Sequence, residues 1–170
     1  LREMGLLQWR YSSPMRVNQV GNSVTKVTAE TRGRQDAPSA LSTLADDVAE
    51  CERCELCRTR NQTVFGAGSA RARWLFVGEA PGAEEDKQGL PFVGRAGALL
   101  SAMLFSIGLS REDIYIANVL KCRPPNNRDP FGQEVRECSP FLHQQISWVQ
   151  PEIIVAMGRF AAQALLETDQ

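Results

Sequence analysis

The sequence predicts a three-layer α/β domain built on a central parallel sheet. Short apolar runs at 73–78, 113–120 and 153–157 read as buried strands, and stretches with helical periodicity alternate with them. Two loops rich in Gly, Pro and Asn follow the first two runs, where the functional loops of such a sheet lie.

Residues 1–42 are polar and carry Arg2, Arg10, Arg16, Lys26, Arg32 and Arg34 against Glu3, Glu30 and Asp36, which reads as a mobile basic tail ahead of a domain over 43–170. Val17, Val20, Val24 and Val27 recur at helical spacing, but Gly21 and the β-branched neighbours weigh against a stable helix. From Ala40 the pattern turns regular. LSTLADDVAE is expected to be a short helix with Leu41, Leu44 and Val48 on one face, leading to the cluster CERCELC. RWLFVG is the first strand, and 79–89 is read as a loop beyond its carboxyl end. A helix follows over 96–107, with Leu99, Leu100, Met103, Leu104 and Ile107 sharing a face and Gly108 stopping it. IYIANVL is the second strand. After the loop KCRPPNNRDPFG a helix begins near Gly132, and Pro140 is expected to divide it, with Ser139 capping a second helix that ends before Pro151. IIVAM is the third strand, and 160–167 the last helix.

With 170 residues, 43% hydrophobic and 23% charged, the chain has material for one core of modest size. No run of about 18 apolar residues is present to span a bilayer, and the opening LREMGLLQWRYSSP lacks the pattern of a signal peptide. A cytoplasmic monomer without membrane contact is therefore expected. The first residue is Leu, so a fragment or processed product is expected too. The net charge of −1 excludes a uniformly basic coat, yet basic residues cluster locally. Arg58, Arg60, Arg71 and Arg73 share one acid-free stretch, and Lys121, Arg123 and Arg128 another. Two such loops point to a polyanionic partner.

Five cysteines in a chain without a secretory signal point to metal ligands rather than disulfides. On spacing alone all five are candidates, and either zinc or an iron-sulfur cluster would accept four of them. His143 is the only histidine, which argues against a mixed His/Cys site.

Taken together, CERC, the block VGEAPGAEEDKQGLPFVGRAG, the run YIANVLKCRPPNNRDP and a Cys sixteen residues after Cys122 resemble the family 4 uracil-DNA glycosylases, the iron-sulfur branch of their superfamily. The resemblance covers about 51–166. It implies a [4Fe-4S] cluster on Cys51, Cys54, Cys122 and Cys138, with Cys57 left over and zinc as the alternative metal. It also implies hydrolysis of the N-glycosidic bond of uracil in single- or double-stranded DNA, leaving an abasic site. Phe92 resembles the aromatic on which a flipped base stacks, and Asn118 the amide that reads the base edge, with Gly78 letting the backbone approach. Glu79 matches the acid of the first motif and is assigned to water positioning or to stabilising the sugar cation, with Glu85 as second candidate. Arg58, Arg60, Lys121 and Arg123 are expected on DNA.

The pattern of the family closes with an HPxxLL-type motif on a loop after a further strand, and that motif is not among these residues. The carboxyl-terminal strand and helix are accordingly expected to be missing, and a chain so truncated to excise poorly, since His143 sits in the wrong helix. A non-catalytic iron-sulfur DNA-binding domain, or a glycosylase for another damaged base, are the competing readings.

Overall fold

The structure, a computed structural model, describes the backbone of residues 29–166 and the side chains of 36–166. Its elements in chain order are α1 (Ala29–Ala49), β1 (Ala67–Gly68), β2 (Trp74–Gly78), α2 (Ala83–Gln88), α3 (Arg95–Ser106), β3 (Ile114–Asn118), α4 (Gly132–Val149), β4 (Ile153–Ala156) and α5 (Arg159–Leu166), with short 3₁₀ turns at Glu55–Arg58 and Pro125–Asn127. The sheet order is β1-β3-β2-β4. β2 pairs in parallel with β3 and β4, while β1 lies antiparallel to β3. The three expected strands are the three parallel ones. The two-residue β1 is an addition, too short to leave a periodic signal.

Alternation along β2 sends its side chains to two cores. Leu75 and Val77 join Tyr115, Ala117 and Val119 on one face, packed under Leu142 and Val149 of α4, Ala161 of α5 and Leu41 of α1. Phe76 joins Ile114 and Ile116 on the other, packed against Leu100 and Leu104 of α3. Helices thus cover both faces, as a parallel sheet requires.

Several expectations are corrected. α1 starts at Ala29, upstream of the pattern that announced it, and runs across position 42. The valine series at 17–27 lies outside the described residues. Leu41, Leu44 and Val48 are buried as expected. Of the five apolar residues expected on one face of α3 only Leu100 and Leu104 are buried, whereas Leu99, Met103 and Ile107 are 64%, 58% and 60% exposed, because the sheet contacts a narrower stripe than the apolar residues occupy. α2 forms inside the segment read as a loop. Pro140 does not divide α4, which is continuous from Gly132 to Val149. A helix-interior Pro removes one backbone bond, but Phe141, Leu142, Gln145 and Val149 beyond it are all buried and hold the second half in line.

Candidate functional site

The carboxyl ends of β2 and β3 are neighbours in the ladder, and Gly78 faces Asn118 there. The absence of a side chain at Gly78 has a definite cause. A Cβ at that position would collide with Asn118 Oδ1 and come within 2.7 Å of the edge of the Phe92 ring. The three residues expected at the base therefore converge on one spot. Asn118 is 2% exposed, and its Oδ1 is buried and makes no hydrogen bond among the described residues. A buried acceptor left unpaired costs about 1–3 kcal/mol, so this oxygen is a place where a ligand donor would be welcomed.

Phe92 sits in the loop before α3 with φ 55°, the left-handed region that a bulky residue rarely enters. Glu85 holds the next stretch of that loop: its Oε1 accepts from the amides of Val93 and Gly94, each at 2.9 Å. Its carboxylate is thus engaged with backbone at the start of α3, an arrangement that makes it a positioning group.

Glu79 follows β2 directly and is half-buried. Its backbone carbonyl accepts from Leu120 N at 3.0 Å, which ties the loop after β2 to the loop after β3. Burial pushes its carboxyl above the usual range, Asp129 adds to the effect, and Arg159 opposes it. Arg159 in turn lies 3.8 Å from Asp129, so one cation and two acids gather beside the end of the sheet.

The cysteines lie on three separate segments. Cys51 closes α1, its amide bonded to Val48 O; Cys54 and Cys57 flank and enter the turn after it; Cys122 follows β3 and Cys138 lies on α4. All five line one pocket, together with Arg60, Lys121 and Phe141. Burial raises the Cys54 and Cys122 thiols and pushes Cys138 up to about 11, although Lys121 pulls against it. Among the described residues no three His, Cys, Asp or Glu side chains converge closely enough to hold one metal ion. Thiolates gathered on one pocket are ligands that both zinc and an iron-sulfur cluster accept.

Two residues expected on DNA are committed elsewhere. Lys121 is 1% exposed, and its ammonium donates to Asn118 O at 2.7 Å and Gln145 Oε1 at 2.6 Å. Its position at the start of the loop gave no sign of this, because the partner Gln145 lies on α4. Arg60 donates to Cys51 O at 2.8 Å, Ala49 O at 3.1 Å and Cys122 Sγ at 3.3 Å, which makes it part of the cysteine site. Arg58 is exposed in an ion pair with Glu55, and Arg123 is half-buried with Nε on Asn127 Oδ1 at 2.7 Å. Arg128 is likewise spoken for, by the carboxylate of Glu134. His143 is exposed on α4.

Sequence reasoning missed three supports. Asp86, 1% exposed, accepts from the backbone and side-chain nitrogens of Asn61 and so joins α2 to the segment after the cysteines. Gln145 donates to Phe65 O at 2.9 Å while it receives Lys121. Arg111 grips the loop of Phe92. Each bonds across the fold, so no local pattern announces it.

Comparison with known proteins gives a consistent result. Residues 65–170 match the model of the uracil DNA glycosylase superfamily. The chain is 52% identical over 124 residues to a type-4 uracil-DNA glycosylase of Archaeoglobus fulgidus, covering 73% of this chain and 62% of that protein. It is 48% identical over 128 residues to the type-4 uracil-DNA glycosylase of Saccharolobus solfataricus, covering 75% and 59% respectively. The type-4 enzyme of Thermotoga maritima is 49% identical over 121 residues, covering 71% and 63%. The match thus spans 59–63% of the length of these relatives.

Proposed function

Because the chain belongs to the uracil DNA glycosylase superfamily, we propose that this protein excises uracil from DNA by hydrolysis. The observation that carries this reading is the unpaired, buried Oδ1 of Asn118 at the carboxyl end of β3, beside Gly78 and the ring of Phe92. An amide there accepts from N3–H of uracil and donates to its O4; cytosine presents an acceptor and a donor in the reverse order. Extruding a base from the stack costs a few kcal/mol. Stacking on Phe92, worth about 1–3 kcal/mol, and the pairing with Asn118 offset it.

In the reaction the C1′–N1 bond breaks with its electron pair going to the base, the oxygen of water bonds to C1′, and the proton that water gives up ends on the released uracil. Glu79, in its ionised form beside the sugar, stabilises the positive charge that develops and orients the water. Glu85 acts indirectly, by fixing the loop that carries Phe92. Arg58 and Arg123 are the phosphate contacts, and the partner is uracil-containing DNA bound by a monomer.

Cys51, Cys54, Cys122 and Cys138 would hold the [4Fe-4S] cluster, with Cys57 at its margin. When bound, the cluster would supply a covalent cross-link between the segment after α1, the loop after β3 and α4, since hydrolysis moves no electrons. That cross-link would tether the loop leaving Asn118. Reduced thiols fit a cytoplasmic setting, and among the described residues no helix is long and apolar enough to cross a membrane.

The test is to incubate the chain, alone and extended with the carboxyl-terminal segment of a type-4 relative, with uracil-containing single- and double-stranded DNA, and to measure abasic sites. Release of uracil by the extended form is expected. DNA binding without release would overturn the proposal in favour of a non-catalytic binding domain, and release of another damaged base alone would redirect it.

A further inference from the structure

We propose that Arg111 is a positioning residue that fixes the aromatic platform of the base pocket; the inference rests on the stacking role given to Phe92 above. Arg111 follows α3, and among the described residues its side chain bonds to Pro91, Phe92 and Ser101 rather than to Gly78 or the Asn118 amide. Its guanidinium reaches back to the loop before α3. Nη1 donates to Phe92 O at 2.8 Å and Nη2 to Pro91 O at 2.6 Å, so the fork grips two consecutive carbonyls. Nη1 also meets Ser101 Oγ at 3.3 Å, which braces the fork on α3.

The grip matters because the loop is held in a conformation it would not choose. Phe92 has φ 55°, and a bulky residue keeps such a backbone only where its surroundings over-determine it. Three groups do so here. Arg111 takes the carbonyls of Pro91 and Phe92, Glu85 takes the amides of Val93 and Gly94, and Gly97 supplies the room, since any side chain at that position would run into the Phe92 carbonyl. The result aims the ring at the bare face of Gly78. A planar guanidinium offers two donors in a fixed fork, which an ammonium does not reproduce. Arg111 therefore sets where the platform stands before the base arrives, and a base stacks on a surface already in place.

The test is a double-mutant cycle on the uracil-excising form of the protein, with Arg111→Met, Phe92→Ala and the pair. Two quantities are read: binding of free uracil by calorimetry, and kcat/KM on uracil-containing single-stranded DNA. Arg111→Met is expected to weaken both by about 10-fold or more, and to add less than about 2-fold once Phe92 is Ala, because residues acting as one unit are not additive. Arg111→Lys, which keeps the charge and can reach one carbonyl, is expected to restore part of the loss and serves as the probe should the Met variant unfold. An undiminished effect of Arg111→Met in the Phe92→Ala background would overturn the positioning role while leaving the stacking role intact. Unchanged uracil affinity in Phe92→Ala itself would overturn the stacking role, and the role of Arg111 with it.

Discussion

Lys121 and Asn118 are joined inside the protein: Lys121 is 1% exposed as a residue, and its ammonium donates at 2.7 Å to the backbone carbonyl of Asn118, whose own side chain lies beside Gly78. The same ammonium reaches Gln145 on α4 at 2.6 Å, and the Lys121 amide donates to Cys138 Sγ at 3.2 Å. The turn after β3 is thus pinned from behind by the helix that carries a cysteine. Replacing Lys121 by Met leaves two buried acceptors without their donor, at a cost of about 1–3 kcal/mol. For a chain of this size the midpoint of thermal unfolding is expected to fall by about 2–4 °C per kcal/mol. Calorimetry of the variant checks this, and an unchanged midpoint would count against the network.

Gly78→Ala tests the pocket from its floor. The added methyl meets Asn118 Oδ1 and comes within 2.7 Å of Phe92 Cζ, both of which would contact the base. Misplacement by about 1 Å near the chemistry can cost on the order of 10²-fold in rate. Excision is expected to drop by about that factor, with affinity for DNA lacking uracil unchanged, as measured by excision kinetics beside fluorescence anisotropy. Asn118→Ala should behave similarly and lose excision far more than DNA binding; equal losses would contradict a base-reading amide.

The sequence made the sheet legible, and with it the meeting of Gly78 and Asn118, because both depend on local patterns. RWLFVG and IYIANVL end in Gly78 and just past Asn118, and strand pairing alone brings these residues together. Phe92 needed the family resemblance, since nothing in LPFVG announces a left-handed Phe. The DNA contacts were read least well. Lys121 and Arg60 stand in acid-free stretches, the pattern of a phosphate surface, but charge counting in sequence does not register Gln145 or Cys122, which lie 24 and 62 residues away and claim them. The break expected in α4 at Pro140 failed for a related reason: tertiary burial beyond the Pro overrides the local preference for a break.

The cysteine pocket carries its own expectation. Protein purified without air is expected to be brown, with iron and sulfide in equal amounts, and Cys138→Ser is expected to lose the colour and to unfold at lower temperature, because the cross-link from α4 is gone. Cys57→Ser should keep both iron and colour. Visible absorption and iron and sulfide assays decide the matter. A colourless, zinc-loaded protein would refute the cluster, and loss of iron in Cys57→Ser would move the ligand set.

Glu79 fixes a pH dependence whose sign follows from its surroundings. Burial, then Asp129, raise its carboxyl pKa in the folded protein above that of the free side chain. Between the two values the native state holds a proton that the unfolded chain has released, so stability contributed here is present at low pH and falls as pH rises through the folded value. Activity runs the other way. In the proposed role the ionised form stabilises the sugar cation, so excision is expected to fall on the acid side at a pH above that of a free carboxylate. Glu79→Gln is expected to remove that limb, to lower the rate by about 10²–10³, and to raise stability at neutral pH, because the buried charge is gone. A pH–rate profile and a thermal melt of the same variant check both halves. An acid limb that survives in Glu79→Gln would assign it to another group.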